Sequence, residues 1–209
     1  QRWFRDGCVP LGPSIFLKSP TRVTAYTFLY VKTVQPGVRG EQRMSTTLEP
    51  RLLSGNQAVA WAALHLGVSL GTGYPGTPST EILENFSLLG GRAQWAPNEK
   101  VALEVGIGVA YGGARALVTM KHVGVNVAAD PLFTVAYTGV EGSLVLVSAD
   151  DPGLSSSQNE QDNRRYAVAA SVMMLEPGDA QEAYDFLFDA FTLSETWKLP
   201  VMFRMTTRV

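Results

Sequence analysis

Cysteine is nearly absent from the 209-residue chain: Cys8 is the only one. A lone thiol forms no internal disulfide, and it supplies too few ligands for a cysteine-held zinc ion or an iron–sulfur cluster. A reducing, cytoplasmic setting is therefore expected. No apolar run approaches the length of about 18 residues that a membrane-spanning helix needs. Charge is also sparse, at 17% of residues. It is unevenly spread, with seven basic and two acidic side chains in residues 1–43 against ten basic and seventeen acidic in residues 44–209. An acidic body lacks the clustered Lys and Arg that neutralise phosphates, so nucleic acid is an unexpected partner. What the chain has is apolar content, 45% of residues, enough at this length for a core without staples.

Residues 1–43 carry prolines at 10, 13, 20 and 36 and no sustained period of 2 or 3.6. They read as a leader, non-native or disordered, ahead of a domain spanning residues 44–209. Met44 is a plausible initiator within the chain. From Leu52 onward, helical and strand patterns alternate. Helices are predicted over 56–66, 80–88, 99–111, 123–137, 159–171 and 180–197, and strands over 68–72, 93–95, 116–120, 144–148, 173–175 and 201–205. This βα alternation predicts an α/β fold, a mostly parallel sheet flanked by helices on both faces, with ligands approaching the carboxyl ends of the strands.

The loops after the strands hold the candidate chemistry. Gly71-Thr72-Gly73-Tyr74-Pro75-Gly76 has the spacing of a dinucleotide fingerprint. Pro75 and Pro78, however, remove backbone donors where a pyrophosphate would sit, so that reading fails. Two prolines instead stiffen a loop that presents the Thr77 hydroxyl, with Ser79 as the expected cap of the next helix. Asn98 is the natural N-cap of a helix whose body, Val101 to Tyr111, is apolar almost all round and is expected to be buried. Glu99 lies in its first turn, where a carboxylate complements the helix dipole. Glu104, five residues on, lies about 140° around the helix, so the two carboxylates do not form a paired dyad. Lys121-His122 ends a strand, a place where such a pair binds an anion or moves protons, or where a solvated lysine adjoins a satisfied histidine. Asp150-Asp151 offers either metal ligands or ordinary Asp-Pro-Gly turn chemistry.

Four stretches, GYPGTPSTEILE (73–84), NEKVALEVGIGVAYGGARALVTMKHVGVNVAADPL (98–132), VSADDPGLSSSQNEQDNRR (147–165) and LPVMFRMTTRV (199–209), lie in one order along the chain. Over about residues 52–209, they closely resemble the N-terminal part of the alpha subunits of indolepyruvate:ferredoxin oxidoreductases. These belong to the thiamine-diphosphate-dependent 2-oxoacid:ferredoxin oxidoreductases, in which this region is the pyrimidine-binding domain.

The resemblance implies that Glu99 contacts N1′ of the cofactor's aminopyrimidine, with Pro75 and Gly76 also against the cofactor. It further implies that Thr77 faces the 2-oxoacid. Lys121, His122 and Asn126 are placed by position toward the substrate, with Lys121 and His122 pairing with its carboxylate or with developing charge. A carboxyl sharing a proton with N1′ activates the cofactor for attack on the keto carbon, after which carbon dioxide leaves.

A complete family member also needs a diphosphate-binding domain, marked by Gly-Asp-Gly, that holds magnesium, and a cysteine-rich ferredoxin-like domain with iron–sulfur clusters. The sequence contains no Gly-Asp-Gly. The chain thus reads as an N-terminal fragment, inactive alone, whose partners are those two domains, a beta subunit, ferredoxin, CoA and an arylpyruvate. A non-catalytic thiamine-fold assembly module, and an oxidoreductase for another 2-oxoacid, are the alternatives.

Overall fold

The computed structural model describes residues 51–209 throughout, and the strand backbone alone over residues 27–34 and 44–50. Six strands form one parallel sheet: β3 (Leu70–Gly73), β4 (Ala93–Trp95), β5 (Arg115–Lys121), β6 (Ser143–Asp150), β7 (Met173–Leu175) and β8 (Val201–Thr206). Their spatial order is β4-β3-β5-β6-β8-β7, every neighbouring pair parallel. Each crossover between parallel neighbours needs a covering element, and helices supply it. They are α1 (Gly55–His65), α2 (Thr80–Leu88), α3 (Glu99–Tyr111), α4 (His122–Val127), α5 (Ala129–Thr138), α6 (Arg164–Ala170) and α7 (Ala180–Trp197).

Strand period 2 divides the core into two layers. Leu117, Val145, Val147 and Phe203 point to one face and pack with α1, α2 and α7 through Ala58, Ile82, Phe86, Leu187 and Phe191. Their alternates Ala116, Val118, Met120, Leu144, Leu146 and Met202 meet Leu103, Ala110, Val125 and Leu132 on the other face. Strand β6 is buried along its whole length, as a central strand covered on both sides must be. The predicted α/β class is what the chain adopts, and α2, α3, α7, β4 and β7 have the predicted bounds.

Three expectations need correction. The helix predicted over 123–137 is two helices broken at Ala128, because Pro131 has no N–H to donate back to Val127 and instead occupies the first turn of α5. The helix predicted from Asn159 begins only at Arg164, since the side chains before it hydrogen-bond to His122 at the start of α4. Helix α3 is not buried all round: Ala102, Leu103, Gly106 and Ala110 face the sheet while Glu104, Gly108 and Tyr111 are exposed.

Within the expected leader, Thr27–Val34 forms a strand, β1, paired antiparallel with β2 (Met44–Leu53) outside the six-stranded sheet. Its threonines, valines and aromatics suit extended backbone. The rest of that segment, Cys8 included, lies outside the described residues.

Candidate active site at the carboxyl edge of the sheet

The carboxyl ends of three adjacent strands, β4, β3 and β5, bring the candidate residues together. Strand β3 runs into the loop Tyr74–Ser79, which folds back on itself. The Ser79 hydroxyl donates to the Gly76 carbonyl at 2.7 Å, and the Gly76 N–H donates to Thr80 Oγ1 at 2.8 Å. Ser79 is therefore not the side-chain cap of α2 that the sequence suggests. The Asn56 amide of α1 donates to the Pro78 carbonyl at 3.0 Å, and the Thr77–Pro78 peptide is cis. Thr77 is exposed at the tip of this closed loop.

Glycines let the loop approach its neighbour. A Cβ on Gly73 would lie 2.5 Å from the Thr119 carbonyl oxygen, so only glycine fits between β3 and β5. A Cβ on Gly76 would lie 3.2 Å from Lys121 Cβ, which places the loop directly on the Lys121 stem. Among the described residues, the hydroxyls of Thr72 and Thr119 and the Nδ1 of His122 are buried without a hydrogen-bond partner.

Glu99 enters from the end of β4. Asn98 caps α3 as expected, its Oδ1 accepting from the Val101 N–H at 2.9 Å. That cap fixes the first turn, and the Glu99 side chain leans onto α4 against Gly124. A Cβ built on Gly124 would lie 2.6 Å from Glu99 Cγ and 2.7 Å from Oε1. The Glu99 carboxylate is partly buried, and no described residue donates a hydrogen bond to it or pairs with its charge. A carboxylate left open at a helix start and backed by bare glycine suits a ring nitrogen that shares a proton with it.

Lys121, His122 and Asn126 turn elsewhere, toward the β6–α6 loop. Lys121 is buried and donates from Nζ to the Ser156 carbonyl at 2.8 Å. His122 is wholly buried, its Nε2 3.1 Å from the Asn159 carbonyl. Asn126 is exposed and paired with the Gln161 amide at 2.9 Å, its Oδ1 also accepting from the Tyr166 hydroxyl. The loop is pinned again where the Asn163 amide donates to the His122 carbonyl at 3.0 Å and to Ser148 Oγ at 2.7 Å.

Both aspartates of the Asp-Asp-Pro-Gly turn serve this loop. Asp150 accepts from Arg204 Nε at 2.7 Å and from Ser148, and Arg204 also pairs with Glu176. Asp151 accepts from Ser156 N–H at 2.8 Å, from Ser155 N–H and from the Ser157 hydroxyl at 2.6 Å. Burial pushes the Asp151 carboxyl upward, but those hydrogen bonds and the Lys121 charge outweigh it and hold it below the usual range. Among the described residues no group of three His, Cys, Asp or Glu side chains is placed to hold a metal ion. The residues from Asn159 to Asn163 and Gly124 are the parts of the site that sequence reasoning missed; the polar run and the glycine among apolar neighbours were their only signals.

Over residues 61–207 the chain matches the family described as pyruvate flavodoxin/ferredoxin oxidoreductase, thiamine diphosphate-binding. The chain belongs to that family. It is 50% identical over 169 residues to the indolepyruvate oxidoreductase subunit IorA of Archaeoglobus fulgidus, covering 77% of this chain and 27% of that protein. It is likewise 50% identical over 161 residues to subunit IorA of Methanothermobacter marburgensis, covering 75% of this chain and 26% of that one. The chain thus spans about a quarter of the length of these curated relatives. In structure it is similar to 2-oxoglutarate:ferredoxin oxidoreductase from Magnetococcus marinus, with a TM-score of 0.68, 20% identity and coverage of 77% of this chain and 31% of that one. That likeness confirms the α/β fold. Thiamine diphosphate is the cofactor of this domain family, and the open Glu99 carboxylate beside Gly124 fits its aminopyrimidine half.

Among the described residues no helix is long and apolar enough to cross a membrane.

Proposed function

We propose that this domain is the pyrimidine-binding part of a ferredoxin-dependent oxidoreductase that converts indolepyruvate and other arylpyruvates, with CoA, to acyl-CoA and carbon dioxide. Two electrons pass to ferredoxin through iron–sulfur clusters held outside this chain. The observation that carries the reading is the unpaired Glu99 carboxylate on Gly124, at the carboxyl edge of a sheet in a thiamine-diphosphate-binding family. The 50% identity to two IorA subunits supports an arylpyruvate as substrate.

When bound, thiamine diphosphate supplies the nucleophilic carbon and the electron sink for decarboxylation. The residues of this chain do the rest of the work on this side. Glu99 holds and returns a proton at the pyrimidine N1′, and Pro75 and Gly76 wall the ring. Thr77, exposed at the loop tip, donates its hydroxyl to the 2-oxoacid. Lys121 attracts the substrate carboxylate with the ammonium donors that Ser156 leaves free, since an ammonium has three. His122 and Asn126 act at one remove: being tied to Asn159 and Gln161, they fix the β6–α6 loop beside the substrate. A diphosphate-binding domain with magnesium, a ferredoxin-like domain and a beta subunit complete the enzyme.

The test is exchange of the C2 proton of bound thiamine diphosphate in the complete enzyme, followed by NMR. Glu99→Gln keeps the shape but cannot exchange a proton with the ring, so exchange slows by orders of magnitude while the fold persists. Glu104→Gln, altered on the exposed side of α3, exchanges at the wild-type rate. The reverse pattern would overturn the assignment.

A further inference from the structure

We infer that Gly124 is a positioning residue for the Glu99 carboxylate; the inference rests on the assignment of Glu99 made above. Three glycines on α3 and α4, and Gly112 just past the end of α3, differ in what a methyl group would meet. At Gly108 it meets nothing within 4 Å, whereas at Gly106 it strikes Val118 at 2.4 Å in the packed core, and at Gly112 it meets only backbone carbonyls of its own turn. At Gly124 the three nearest atoms it strikes all belong to Glu99, Cγ, Oε1 and Cδ at 2.6, 2.7 and 2.9 Å.

The nearest thing in the way is thus one flexible side chain, and that side chain carries the proton. Glu99 can swing aside at small cost to folding, because its carboxylate accepts no hydrogen bond from a described residue that would be lost. It cannot do so and keep its place. The wall itself cannot retreat. Residue 124 lies two residues beyond His122, whose carbonyl is held by Asn163 at 3.0 Å and Gln161 at 3.2 Å, and whose wholly buried ring is held by Asn159. The first turn of α4 is therefore fixed from the β6–α6 loop, and Gly124 presents bare backbone to the carboxylate. Glycine inside a helix is ordinarily a loss relative to alanine. Here the missing methyl leaves the volume that the carboxylate occupies.

Gly124→Ala separates stability from proton transfer. In the complete enzyme loaded with thiamine diphosphate, the variant is expected to keep or raise its Tm and to slow C2-proton exchange by about 100-fold, the scale of misplacing a reacting group by about 1 Å. The near-ultraviolet circular dichroism that distinguishes the imino from the amino form of the bound pyrimidine shifts toward the amino form. Gly108→Ala, the control with open space, leaves exchange unchanged. The 209-residue chain without cofactor gives an independent readout: a nuclear Overhauser contact between the Glu99 γ protons and the Gly124 α protons is expected in the wild type.

Wild-type exchange in Gly124→Ala together with slow exchange in Glu99→Gln overturns the role of Gly124 alone. Wild-type exchange in both removes the Glu99 assignment and this inference with it. A fall in Tm, or failure of the variant to fold, shows that α4 rather than the Glu99 side chain gives way, and overturns the inference, as does absence of the nuclear Overhauser contact.

Discussion

The ammonium of Lys121, at the end of β5, donates to the main-chain carbonyl of Ser156 at 2.8 Å, bridging the carboxyl edge of the sheet to the loop that follows β6. A buried cation whose one hydrogen-bond partner among the described residues is a neutral carbonyl is unbalanced in charge. Asp151 lies close enough for Lys121 to lower its carboxyl, yet that carboxylate is taken up by three serine donors. An anionic substrate is the group that would complete the pairing.

Lys121→Met keeps the stem that packs on Gly76 and removes the charge. Steady-state kinetics of the complete enzyme should show KM for the 2-oxoacid raised about tenfold to a hundredfold, the worth of one charge-assisted hydrogen bond, with kcat changed much less. Unaltered KM would return Lys121 to a purely structural role.

Asn163 is wholly buried and satisfies two acceptors, His122 O and Ser148 Oγ. Asn163→Ala leaves both without that donor and should cost about 1–3 kcal/mol. In a domain of this size that lowers Tm by several degrees in a calorimetric scan. A Tm within one degree of the wild type would show that water replaces the amide.

Arg204→Met leaves Asp150 as a buried carboxylate without its cation. Breaking such a pair costs about 3–5 kcal/mol. Adding Asp150→Asn removes the stranded charge, so the double variant should be more stable than Arg204→Met alone in denaturant unfolding. Equal stability of the single variant and the wild type would mean that Glu176 and Asp150 do not depend on the guanidinium at all.

Acid should weaken the loop through Asp151. Its folded carboxyl is held below the ordinary value, so its contribution to stability is present above about pH 4, the unfolded value, and is lost as pH falls through the folded one. Asp151→Asn should therefore be less stable than the wild type at neutral pH, with the gap closing on acidification below about pH 4. A gap that holds constant from pH 7 to pH 3 would contradict this account.

By itself the sequence determined the layered α/β architecture, because the unbroken apolar run Leu144–Val147, bounded by turn residues, and the amphipathic spacing along α7 are local patterns that each favour one geometry. It determined the start of α3 as well, since Asn98 needs only the Val101 N–H three residues on. It also placed Glu99, Thr77 and Lys121 at strand ends, which is a matter of counting along the chain. Only the tertiary structure decided what those side chains meet. His122 looks like one more ligand in sequence, yet it is wholly enclosed by a loop 37 residues away. The polar run before α6 has helical propensity, but its hydrogen bonds to His122 at the start of α4 hold it out of the helix. Gly124 carries no chemistry of its own, and its meaning comes from the Glu99 carboxylate lying where a methyl group would otherwise stand. Contacts between segments 25 to 40 residues apart leave no period in the sequence, which is why candidate residues could be named from it but their contacts could not.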